Sequence, residues 1–243
     1  MKPSRRQLFS LPLPLLGASA PPGRSLRVVC TGGHPDDPES GCGGTLARYG
    51  AAGASVTIIY MTRGEAGIDG KSHQEAAAIR SAECLAACKI LGAKPVFAGQ
   101  IDGATIVDRR AAESLQELIL AEDPDIVFTQ WPIDSHSDHQ AVSILTYRAW
   151  LNTRGRFELF YYEVELGDQT MGFHPTDYVD ITRVRDRKKA ALFAHKSHGE
   201  RLYTEYHQRM EDFRGWEAGC TAAEAFVRLA RVTNASQLPG KPR

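Results

Sequence analysis

A chain of 243 residues with 42% hydrophobic and 24% charged content has enough apolar surface for one well-buried domain and excludes bulk disorder. Lysine plus arginine equals aspartate plus glutamate at 29 each, so the net charge points neither to nucleic acid nor to an anionic membrane surface. No apolar run reaches the roughly 18–20 residues that a bilayer-crossing helix needs.

Residues 1–20 stand apart. Paired arginines in Ser4-Arg5-Arg6-Gln7-Leu8-Phe9 precede a short apolar run, Leu8 to Leu16, and the small residues Ala18-Ser19-Ala20. A charged segment, an apolar segment and a small-residue cleavage site predict a signal peptide, and the adjacent arginines suggest the twin-arginine export route. Cleavage after Ala20 would remove Lys2, Arg5 and Arg6 and leave an acidic chain. The expected location is then exported, in the periplasm, or cytoplasmic if the leader does not function. The five cysteines, Cys30, Cys42, Cys84, Cys88 and Cys220, are odd in number, lack zinc-finger spacing and read mostly as buried thiols.

A single domain is expected over 21–236, with a loose polar tail at 237–243. After a Pro/Gly-rich connector, the apolar run at 26–32 predicts a buried parallel strand that ends at His34-Pro35-Asp36-Asp37. Gly41, Gly43 and Gly44 read as room at the entry to a helix over 45–52. A second strand at 55–61 ends in Thr62-Arg63-Gly64-Glu65-Ala66-Gly67. A helix over 74–91 follows, with Ala78, Ala82, Leu85, Cys88 and Leu91 on its apolar face and Gly92 as its stop. A short strand at 95–98, the turn Gln100-Ile101-Asp102-Gly103 and a helix capped by Asp108, with Leu115, Leu118 and Ile119 inward, come next. The strand at 125–130 leads to Asp134-Ser135-His136-Ser137-Asp138-His139 and a helix over 137–151. This alternation predicts an α/β, Rossmann-like, doubly wound and mostly parallel sheet with helices on both faces. Further strands at 157–165 and 177–181, antiparallel at an edge, and helices at 183–195 and 200–216 would extend it.

Ligands of open α/β sheets gather at the carboxyl ends of strands, where both His/Asp clusters fall. A mononuclear hydrolytic metal site takes three protein ligands and keeps one position open. His34, Asp37 and His139 would supply two imidazoles and a carboxylate, leaving Asp36 as general base. His136 would stand over the acyl oxygen as an imidazolium, oriented by Asp138. Zn2+ is the expected ion, and the His/His/Asp set also suits Fe2+. Taken singly, each motif equally suits a turn or a solvated helix cap. Their shared position at strand ends of one α/β unit predicts a joint site.

His34-Pro35-Asp36-Asp37-Pro38-Glu39 and His136-Ser137-Asp138-His139 together resemble the two signature motifs of the PIG-L/LmbE-like zinc-dependent N-deacetylases. Thr62 to Gly67, Arg80-Ser81-Ala82-Glu83 ahead of Leu91-Gly92, and Asp102-Gly103 are similar to further blocks of that family in the same order. The resemblance spans about residues 26–200. It implies removal of an acetyl group from an N-acetylglucosaminyl-type small molecule or glycoconjugate. The sequence itself is compatible with a homo-oligomer and does not fix the oligomeric state. The resemblance also implies metal at His34, Asp37 and His139, base function at Asp36, and His136 polarising the carbonyl with Asp138 behind it. Arg80 would contact substrate, and Glu39 and Glu65 would support the site from behind. Ser137 stands where the family often has Pro, and the block His195-Lys196-Ser197-His198 has His where Gln is commoner, a change at the distal wall of the site.

A non-catalytic carbohydrate- or metal-binding protein on the same fold is the alternative, and it would have no need of Asp36. A nucleotide-binding Rossmann protein would carry Gly-x-Gly-x-x-Gly with an acidic residue about 20 positions on, which this sequence does not. His73, His174 and His207, isolated in polar contexts, read as surface residues. Trp131 and Tyr161-Tyr162 suit either stacking on a sugar ring or packing in the rim and core.

Overall fold

The apolar run ahead of the first His/Asp loop forms β1 (Arg27–Gly32), buried on both faces as a central parallel strand must be. It pairs in parallel with β2 (Ser55–Tyr60) on one side and β4 (Ile126–Gln130) on the other. Beyond β2 lies β3 (Lys94–Phe97) and beyond β4 lies β5 (Glu158–Tyr162), both parallel. Antiparallel strands β6 (Asp177–Asp180) and β7 (Ala223–Arg228) complete a seven-stranded sheet of order β3-β2-β1-β4-β5-β7-β6. The computed structural model describes residues 24–165 and 168–229, so the expected leader and tail lie outside the described residues. The doubly wound, mostly parallel sheet matches the sequence expectation. The strand β7 is an addition: its short run Ala223-Glu224-Ala225-Phe226 has weak strand character alone and gains its register from β5 and β6.

Alternate side chains of β1 feed two cores, as a period of two requires. Val28 and Cys30 pack with Cys42 and Leu46 of α1 (Asp37–Ala51), Cys84 and Cys88 of α2 (His73–Leu91), and Ala191 of α5 (Arg185–Phe193). Val29 packs on the opposite face with Leu115 and Ile119 of α3 (Arg109–Ala121) and Val142 and Leu145 of α4 (Ser137–Asn152). An outer helix runs through α6 (Gly199–Leu202), a π turn (Tyr203–His207) and α7 (Gln208–Ala218). All five cysteines are free, and four of them are buried.

Two local expectations need correction. The first helix starts at Asp37, so Gly41, Gly43 and Gly44 lie inside it rather than in an entry loop. Their low helix propensity is overruled by close packing. A Cβ on Gly44 would stand 2.6 Å from Ile181 Cγ2, and one on Gly41 would enter the Tyr162 ring. In α2 the buried face is Ala76, Arg80, Cys84, Ala87, Cys88 and Leu91, while Ala78, Ala82 and Leu85 face outward. Alanines on several sides of that helix leave its apolar face ambiguous in sequence, and the burial of Arg80 against Asp36 decides it.

Chain order reverses between β1 and β4, which are neighbours in the sheet although α1 to α3 intervene in sequence. The loops leaving these two strands therefore open on one crevice, the position where open α/β sheets bind ligands. Both His/Asp clusters are on those loops.

Candidate active site

The crevice contains a cavity of about 410 Å³ whose walls include His34, Asp36, Asp37, Arg80, His136 and His139. The structure thus brings together every sequence-predicted site residue except Asp138, which reaches the site through its hydrogen bonds. Three ligand atoms form a triangle. His34 Nδ1 is 3.1 Å from Asp37 Oδ2, and His139 Nε2 is 3.3 Å from each of them. Nitrogen and oxygen ligands at about 2.0–2.1 Å from a tetrahedral zinc stand about 3.3 Å from one another. The three atoms therefore hold ligand spacing across about a hundred residues of sequence. His34, His136 and His139 also offer ligand atoms within 4.8 Å of one another, so His136 borders the same centre.

Each ligand is held from behind, as metal ligands require. His139 Nδ1 meets Asp134 Oδ1 at 3.1 Å, which directs Nε2 to the centre. Asp134 itself is fixed by the N–H of His136 and by Thr170 Oγ1. His34 Nε2 meets Asp138 Oδ2 and Asp102 Oδ1, both at 3.1 Å. Burial opposes charge on His34, but Asp37, Asp102 and Asp138 outweigh it and raise its pKa well above the ordinary imidazole value. Burial likewise opposes charge on His139, yet Asp37 and Asp134 push its pKa up to about 9. Burial would raise Asp37, but the two imidazoles hold it well below the usual carboxylate range. The cluster attracts positive charge, which is what a cation site needs.

Asp36 is not part of the triangle. It precedes α1 with φ 111°, and its N–H donates to Glu39 Oε2. Glu39 is anchored in turn by Tyr60 and His195, which fits its expected supporting place. Asp36 Oδ2 accepts from Arg80 Nη2 at 3.0 Å and contacts His198 Nε2. Burial would raise its pKa, but Arg80 and His198 lower it, so the carboxylate is ionised at neutral pH. Arg80 Nη2 also donates to Pro35 O at 2.6 Å. Arg80 therefore lines the cavity with its guanidinium already engaged by Asp36 and the chain before it.

His136 and Asp138 are arranged differently from the expectation. The carboxylate of Asp138 accepts from Gly103 N at 2.7 Å and Thr105 N at 3.3 Å and contacts His34 at 3.1 Å, with a His136 ring nitrogen within 4.8 Å but not hydrogen-bonded to it. Asp138 meets His136 through its backbone N–H, which donates to Nδ1 at 3.2 Å. An Nδ1 that accepts carries no proton, so His136 is the neutral Nε2–H tautomer. Burial and the neighbouring imidazoles of His34 and His139 lower its pKa in agreement. It offers an N–H donor, not an imidazolium. Its ring lies against His139 with centroids 4.7 Å apart and planes 22° apart.

Asp102, Asp134 and His207 carried no assigned role in the sequence reading, and His198 only a place in the block at the distal wall. Asp102 ends its turn against His34, and its Oδ2 also accepts from Ala66 N. Asp134 lies in the second cluster, five residues before the histidine it holds, and its strand-end position was the available signal. His198 comes from the segment before α6 to Asp36. His207, expected at the surface, is buried on the cavity wall, whereas His73 and His174 are exposed as expected. Tyr161 and Tyr162 belong to the core, and the indole N–H of Trp131 donates to Met171 O.

The family model described as PIG-L, GlcNAc-PI de-N-acetylase, matches residues 29–150, half of the chain and all of the triangle. The chain belongs to the PIG-L family. The diacetylchitobiose deacetylase of Thermococcus kodakarensis is 30% identical to it over 185 residues, which make up 70% of this chain and 69% of that one. The uncharacterized deacetylase YaiS of Escherichia coli is 34% identical over 127 residues, 47% of this chain and 63% of YaiS, so the chain spans less than two thirds of that relative. The fold is that of the N,N'-diacetylchitobiose deacetylase of Pyrococcus horikoshii, with a TM-score of 0.75 over 86% of this chain and 87% of that one at 24% identity. The PIG-L match ends within α4, so His198 and His207 lie on the part of the chain that it leaves open.

Proposed function

We propose that this PIG-L protein is a metal-dependent deacetylase that removes the acetyl group from an N-acetylglucosaminyl-type compound. The observation that carries the reading is the triangle of His34, Asp37 and His139 with the uncoordinated carboxylate of Asp36 beside it in one cavity. The activities named for its relatives support the substrate class. Zn2+ is the proposed ion, with Fe2+ as the alternative on the same donor set. A divalent ion bound there would polarise the acyl oxygen and acidify water.

The chain supplies the rest. Asp36, kept ionised by Arg80 and His198, takes the proton of the attacking water on its carboxylate and delivers one to the leaving amine. His136 donates its Nε2–H to the acyl oxygen as negative charge builds there. Asp138, Asp102 and Asp134 hold His34 and His139 in place, so the triangle need not reorganise during the reaction. The bare binding alternative leaves Asp36 and its arginine without a purpose.

The decisive experiment pairs two variants in an amine-release assay with metal analysis. Asp36→Ala should keep bound metal and lose about 10²–10⁴ in turnover, whereas His139→Ala should lose the metal. Native turnover in Asp36→Ala would remove the base from the mechanism. On the sequence of residues 1–20 we further propose export by the twin-arginine route; a spheroplast fractionation with all protein in the cytoplasm would refute it.

A further inference from the structure

His207 ends the π turn between α6 and α7. In a regular α-helix a side chain four positions on is rotated by about 40° from the first. The wider π turn takes up that excess and keeps Tyr203 and His207 on one inward face. His207 is 1% exposed, and neither ring nitrogen has a hydrogen-bond partner among the described residues. It borders the catalytic cavity with Asp36, Ser40 and His198. It also borders a separate void of about 10 Å³ beside Lys188, Glu211 and Glu224.

Buried polar groups in folded proteins find partners, so an imidazole unpartnered on both nitrogens among the described residues points to partners beyond them, such as water or a ligand. The small void is at the lower limit for one water and can satisfy one nitrogen. The catalytic cavity, on whose wall His207 lies, is the other source of a partner. Burial and the Lys188 ammonium push His207 down to about 3, so the ring is neutral at pH 7 and presents one donor and one acceptor. A hydroxyl, itself donor and acceptor, suits either nitrogen. A carboxylate or an ammonium suits only one.

We propose that His207 is a substrate-recognition residue that hydrogen-bonds a hydroxyl of the sugar half of the substrate, at the wall of the cavity formed by the outer helix. This rests on the deacetylase reading and adds to it a specificity determinant outside the two His/Asp loops.

The test uses the zinc-loaded enzyme with N-acetylglucosamine and its monodeoxy analogues, each lacking one hydroxyl. The native enzyme should disfavour one analogue about tenfold to hundredfold in kcat/KM, mainly through KM. His207→Phe, which keeps the ring volume, should lose that discrimination, and His207→Gln, which keeps a donor and an acceptor, should retain most of it. Discrimination in His207→Phe equal to the native pattern overturns the proposal and leaves the deacetylase reading standing. If the native enzyme releases no amine from any of these sugars, the deacetylase reading fails, and the ring nitrogen resonances of His207 decide the rest. A shift on adding N-acetylglucosamine supports the contact, and unmoved resonances overturn it.

Discussion

Asp36 has a backbone angle, φ 111°, beyond even the left-handed helical values of Asp123 at 45° and Arg154 at 55°. Such a conformation costs on the order of 1–3 kcal/mol and persists where surrounding contacts over-determine it. Here Glu39 takes the Asp36 N–H, while Arg80 and His198 take its carboxylate. Arg80 is in consequence a tuning group. Its positive charge favours ionised Asp36 and so depresses the carboxyl pKa. Arg80→Met should raise that pKa, leave the base protonated at higher pH, and move the acid limb of the kcat/KM profile upward. A limb at unchanged pH would show that the guanidinium does not set the base. That Asp36 is a lone carboxylate beside a ligand is legible from His34-Pro35-Asp36-Asp37, but its arginine partner, 44 residues on, becomes a pair only through folding.

At the scale of elements, α1 carries the first cluster on its N-terminus and must approach the sheet closely to place it. The glycines allow that approach, and Glu224 of β7 secures the helix by accepting from Gly44 N at 2.8 Å and Thr45 N at 2.7 Å. Glu224 also meets the buried Lys188 of α5 at 2.8 Å, so helix, strand and charge are tied in one place. Gly44→Ala should overpack against Ile181 and cost about 1–3 kcal/mol, read as a lower urea midpoint with unchanged slope. A midpoint equal to the native one would mean that the helix can shift freely. In the outer helix the π turn breaks the regular period, which is why His207 in a polar stretch reads as exposed in sequence yet is buried.

For the whole molecule, the triangle joins the loop after β1 to the loop after β4. A cation that binds only the folded state stabilises it by mass action, by about 2.7 kcal/mol at a hundredfold excess over Kd. Zn2+ should therefore raise Tm of the metal-free protein, a chelator should reverse the rise, and His139→Ala should show neither effect. A comparable zinc shift in His139→Ala would place the ion elsewhere. The two loops converge because parallel crossovers carry successive strands away from β1 on one side and return the chain beside it on the other.

Strand and helix order up to β6, the two strand-end clusters and the family were all present in the sequence, because each rests on residue types within a few positions of one another, whereas β7 took its place from β5 and β6. Only the tertiary structure decided which carboxylate faces which imidazole: Asp138 turns to His34, and Asp134 takes His139. It also decided that His198 and His207 reach the cavity from the far end of the chain. Such pairings depend on the packing of elements distant in sequence, and local periodicity carries no record of them.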